Sequence, residues 1–152
     1  MAVNPLTKTQ RDAIDVLVSA RRLEKVPPDP ARAAAFLAAA AERISQLPLL
    51  TSVVVAYDLA YDAAHDVGEA LLAAHGYRTR NGVGQHEALG RYVRAVLDSP
   101  PGDRAATRFD RLRRVRNKSR YDAIPIGAVE AALARQAAHE LHVAAIARGV
   151  GT

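Results

Sequence analysis

The sequence predicts an all-α fold, an antiparallel up-and-down helical bundle of five to six helices. Alanine is the commonest residue while aromatics make up only 5% of the chain. Apolar residues recur with helical rather than alternating spacing, and Gly and Pro gather in short stretches between long uninterrupted ones. At 152 residues the chain is long enough for one core without staples. It has no cysteine, which excludes thiolate metal sites, disulfides and cysteine nucleophiles and points to a reducing cytoplasmic setting.

The first helix is expected from about Thr9 to Glu24, because Thr9 with Asp12 three residues on reads as a capping box and Ile14, Leu17 and Val18 share a face. VPPDP ends it, and residues 1–28 read as an N-terminal helical extension to a bundle domain over 29–150. Asp29 as N-cap and Pro30 as first helical residue open a second helix, with Phe36, Ala40, Ile44 and Leu47 as its stripe up to Pro48. The longest helix runs from about Thr51 to His75 and is stopped by Gly76, with Val54, Tyr57, Tyr61, Ala64 and Leu71 inward.

YRTRNGVGQ reads as a loop, a fourth helix spans His86 to Leu97, and SPPGD ends it. A fifth covers Ala105 to Ser119. After YDAIP the last runs from Pro125 to Arg148, with Val129, Leu133, Ala137, Leu141 and Ala144 or Ala145 inward. The N-terminus lacks a signal-peptide core, and the longest apolar run, around LLTSVVVA, falls short of a membrane span, so no membrane is expected.

Charge is concentrated on the fifth helix. Residues 104–120 hold eight Arg or Lys against one Asp, a local net of +7, which leaves the rest of the chain at −2 within a total of +5. Such a strip is either a solvated helix face or a footprint for phosphate. On the helix that carries RLRRVRNKSRYDA, the residues Phe109, Leu112 and Val115 define the packed face. Arg111, Arg113, Arg114, Lys118 and Arg120 form a basic rim for nucleic acid. Arg116 falls inside the packed face, where a guanidinium costs several kcal/mol to desolvate unless an anion neutralises it. One candidate anion is Asp58 or Asp62 on the long helix, as a structural ion pair. The other is a phosphodiester, held by Arg116 with Asn117 and Tyr121 adding neutral hydrogen bonds.

The long helix, the turn GYRTRNGVGQH and the element LRRVRNKSRYD ahead of a final helix resemble the HEPN superfamily, in particular its small actinobacterial-type members, over about residues 30–148. The resemblance implies an up-and-down helical bundle that commonly dimerises, and an RNA-acting module of toxin–antitoxin or defence type. It further implies a metal-independent endoribonuclease in which paired R-x4-6-H motifs meet across the homodimer, and no cofactor. A nucleotidyltransferase-type or antitoxin protein is the partner it implies, alongside RNA. Carried over, Arg116 is the arginine that stabilises charge on the attacked phosphate and Asn117 its polar neighbour. Tyr121 stands in the histidine slot, and a phenol of ordinary pKa about 10 is a poor base near neutrality. A non-catalytic bundle that binds nucleic acid or a partner is therefore the alternative to the ribonuclease.

Two other R-x4-6-H matches occur, Arg80 to His86 and Arg135 to His142, and about two arise by chance with 18 arginines and five histidines. HELH at 139–142 lacks the i, i+4 histidine spacing of a zinc-protease helix. Asp58, Asp62 and Asp66 are spaced as in a ferritin-like helix, but no acidic helix with Glu-x-x-His completes such a site.

Overall fold

The structure is a computed structural model, and it describes residues 2–151. Among these, six α-helices form a bundle: α1 (Lys8–Ser19), α2 (Pro30–Gln46), α3 (Val53–His75), α4 (Gln85–Val96), α5 (Asp103–Asp122) and α6 (Ala128–Ala147). Two short strands, β1 (Leu23–Lys25) and β2 (Tyr77–Thr79), pair antiparallel, and a 3-10 turn follows α2 at Leu47–Leu49.

The helix ends follow from local chemistry. The Asp29 side chain accepts from the Arg32 N–H at 2.9 Å with Pro30 in the first turn, so α2 starts where its residues require. Gly76 ends α3 at φ +84°, and an added Cβ would stand 2.6 Å from the Val26 carbonyl oxygen, so both the conformation and the space demand glycine. The capping box of α1 lies earlier than Thr9 and Asp12. Thr7 accepts from the Gln10 N–H at 3.2 Å, and the Gln10 side chain accepts from the Thr7 N–H at 2.9 Å. This register lets buried Gln10 also donate to the Val96 carbonyl and the Asp98 carboxylate, each at 3.0 Å. The helix ends at Ser19 rather than Glu24, because Leu23–Lys25 pair with Tyr77–Thr79.

α3 lies at the centre, its Tyr57, Tyr61, Val67 and Leu71 fully buried against Leu89 and Tyr92 of α4, Phe109 and Leu112 of α5, and Leu141 of α6. Each such large side chain contributes about 1.5–3 kcal/mol of burial. Alanines on α3 and α6, among them Ala60, Ala64, Ala134 and Ala138, leave the faces of these two helices narrow enough to pack closely. Residues 8–25 share the same core, with Ile14 and Leu23 almost wholly enclosed. Val54 and Val129, expected inward, are instead exposed, since each sits in the first turn of its helix beyond the end of the core.

One departure from simple alternation positions everything that follows. Tyr61 meets His86, Gly68 lies against Leu89 and the Tyr92 hydroxyl donates to the Leu71 carbonyl, so α4 runs alongside α3 in the same direction. β2 and residues 80–84 carry the chain back along α3 before α4 begins. The start of α4 is thereby brought level with the middle of α3.

Candidate functional site

α5 presents Arg113, Asn117 and Tyr121 at four-residue spacing, so the three form one ridge, with Arg116 beside Asn117. Across from this ridge stand Gly82–Gly84 and the first turn of α4. Between them lies an open cleft of about 600 Å³, to which His86, Arg113, Arg116, Asn117 and Tyr121 all contribute. Gly84, at φ +86°, is the N-cap of α4 and supplies no side-chain cap to the first-turn N–H groups. The positive end of that helix thus borders the cleft, an arrangement suited to an anion. Glu87 also lines it and is drawn toward Arg22 at 3.6 Å.

Arg116 lies over the ring of Tyr61, its guanidinium carbon 4.8 Å from the ring centroid. It makes no ion pair among the described residues, and its Nε is enclosed without a hydrogen-bond partner. The proposed pairing with Asp58 or Asp62 is not what the side chains form. Asp58 meets Arg120 at 3.7 Å, and Asp62 reaches the site only through its field on His86 and Tyr61.

Behind the guanidinium is a stack of rings. Tyr61 and His86 lie parallel at 6.1 Å between centroids, and the Tyr61 hydroxyl is hydrogen-bonded to His86 Nδ1 at 2.8 Å. His65 lies 4.7 Å from His86, and Phe109 closes the other side of Tyr61 at 5.7 Å. Burial drives the His65 pKa down to about 4, with the neighbouring His86 and Arg116 adding to the effect. His86 is lowered in the same way, by burial and then by Arg116 and Arg113, against the opposing pull of Asp62. Burial pushes Tyr61 up to about 12, so its hydroxyl stays neutral. With Nδ1 engaged by Tyr61, the free nitrogen of His86 is Nε2. The cleft therefore combines a cation without a counter-ion, a helix N-terminus and an imidazole that is neutral near pH 7.

The basic rim is more compensated than its composition suggests. Arg111 pairs with Glu130 at 2.7 Å, Arg113 and Arg114 share Asp110 at 2.8 Å each, and Arg120 faces Asp58. Within residues 111–120, Arg116 and Lys118 are left with no ion pair among the described residues. Tyr121 is 82% exposed at the mouth of the cleft, and its hydroxyl engages no hydrogen bond among the described residues.

The sequence pairing of Arg80 with His86 is separated in space. Arg80 borders a different cleft with Glu24, Arg32 and Glu69, while His86 joins Arg116. Asp66 of the carboxylate row is paired with Arg43. His139 and Glu140 line a shallow cleft against Pro100 and Pro101. Among the described residues no group of three or more His, Asp or Glu could hold a metal ion, and no helix is long and apolar enough to cross a membrane. Sequence spacing did not single out Tyr61, His65 or the partnership of His86 with Arg116, because these residues lie on three helices.

No family model, no curated protein and no solved structure matches the chain.

Proposed function

We propose that the chain is an RNA-acting module of HEPN-like type that cleaves phosphodiesters without a metal ion, using Arg116 and His86. The observation that carries this reading is the meeting of an uncompensated guanidinium and a neutral imidazole in one cleft at a helix N-terminus. Arg116 and the first-turn N–H groups of α4 hold the phosphate oxygens, and Asn117 adds a neutral donor. His86 Nε2 takes the proton of a ribose 2′-hydroxyl. The freed oxygen attacks phosphorus to give a 2′,3′-cyclic phosphate, the 5′-oxygen leaves with a proton from water, and the imidazolium returns its own proton to solvent. Tyr61 positions the imidazole by accepting the Nδ1–H, which selects the neutral tautomer with an unprotonated Nε2, and it keeps that hydrogen bond in the charged state. His86 thus fills the role that the tyrosine at 121 cannot.

The resemblance of the LRRVRNKSRYD element supports a toxin or defence setting in the cytoplasm. It also supports a homodimer, with a nucleotidyltransferase-type or antitoxin protein as partner. The compensated rim favours a second reading, a bundle that binds RNA or such a partner without cutting. Expression in bacteria of the parent, Arg116→Ala and His86→Gln separates them. Growth arrest with degraded RNA in the parent alone supports cleavage, binding without degradation supports the second reading, and intact RNA with no binding rejects both.

A further inference from the structure

We propose that Tyr121 is a nucleobase-stacking platform and that the cleft takes single-stranded RNA, one base lying on the tyrosine ring while Arg116 holds an adjacent phosphate. The proposal rests on the reading that this cleft acts on RNA. Of the five tyrosines, Tyr57, Tyr61, Tyr77 and Tyr92 are all buried, whereas Tyr121 is 82% exposed. Three of the buried ones also place their hydroxyls, on the Leu112 carbonyl, on His86 and on the Leu71 carbonyl. The Tyr121 side chain has neither a hydrogen bond nor a ring neighbour among the described residues. An isolated exposed aromatic is ordinary on a protein surface, so its position decides the matter.

Tyr121 stands one turn beyond Asn117 on the cleft ridge, about 7.5 Å along the helix axis from Arg116. Val83 is fully exposed on the facing rim, and the space around Gly82 is open. An anion site on the cleft floor is therefore flanked by apolar surface, which matches the alternation of phosphate and base along a nucleic-acid strand. Only an unpaired strand offers a free base face to such a ring, since a duplex hides its bases in the stack. The face of the ring is what this geometry uses, and the phenol oxygen is dispensable.

Fluorescence anisotropy with a labelled, uncleavable 2′-O-methyl single strand tests the assignment on the parent, Tyr121→Phe and Tyr121→Ala. Because the side chain is exposed, neither variant disturbs the core. The parent and Tyr121→Phe are expected to bind alike, and Tyr121→Ala to bind roughly ten-fold more weakly. The same strand with abasic positions should bind parent and Tyr121→Ala equally, and a duplex should bind the parent less well than the single strand. Equal binding by parent and Tyr121→Ala overturns the platform alone, as does a loss in Tyr121→Phe equal to that in Tyr121→Ala. A duplex bound as tightly as the strand overturns the single-strand preference. Failure of the parent to bind any RNA overturns the underlying RNA reading as well.

Discussion

His86 is held below the ordinary imidazole range first by burial and then by Arg116 and Arg113. Its neutral form, the one able to take a proton, is therefore available at neutral pH. Cleavage should rise with pH through a midpoint below 6.5 and level off near neutrality. Removing the positive neighbour in Arg116→Gln should move that midpoint upward, because one cause of the lowering is gone. The variant should also cut about 10²–10³-fold more slowly, because the phosphate has lost its counter-charge. Arg116→Lys should recover little, since a point charge cannot reproduce a planar guanidinium laid over Tyr61. A pH–rate profile of the two variants beside the parent checks all three outcomes. An unmoved midpoint would separate Arg116 from His86.

The helices show why so much of the fold and so little of the site was legible in the sequence. Asp29, Pro30 and Gly76 act on their own neighbours, so the boundaries they set are local and readable. The end of α1 was not, because pairing of Leu23–Lys25 with Tyr77–Thr79 spans about fifty residues of chain. On α5 the sequence reached Arg116, Asn117 and Tyr121 through their spacing on one helix. The partnership of His86 with Arg116 escaped it because α4 runs in the same direction as α3, which brings His86 to Tyr61 instead of to the far end of the bundle. That geometry depends on Gly84, whose φ of +86° is a left-handed conformation that L side chains rarely adopt. Gly84→Ala should cost about 1–2 kcal/mol in chemical denaturation and lower cleavage further by displacing His86. A variant with parental stability would show that this turn is not strained. Gln10→Ala should cost about 1–3 kcal/mol, since it leaves the buried Val96 carbonyl without its donor.

At the scale of the whole molecule, the same burial that tunes the site sets its acid limit. His65 and His75 are both pushed down to about 4, chiefly by desolvation. The folded chain keeps them neutral while the unfolded chain protonates them near 6.5, so between those values the unfolded state binds more protons. Stability should be level above pH 6.5 and fall as pH drops from there toward 4, and His65→Gln should flatten part of that fall in urea unfolding. The charge pattern matters at this scale too. Three carboxylates, Glu130, Asp110 and Asp58, face Arg111, Arg113, Arg114 and Arg120, so RNA affinity should fall less steeply with salt than the bare charge of the strip would imply. The stretch RLRRVRNKSRYDA is thus one wall of a cleft whose other wall begins at Gly82.

The most direct measurement is cleavage of end-labelled single-stranded RNA by the purified protein in the presence of a chelator, with the product ends identified. Parent protein should yield 2′,3′-cyclic phosphate ends, and His86→Gln should lose about 10²–10⁴-fold in rate while still binding the strand. RNA left intact by the parent, or cut as fast by His86→Gln, would contradict the pairing of Arg116 with His86 as a cleaving site.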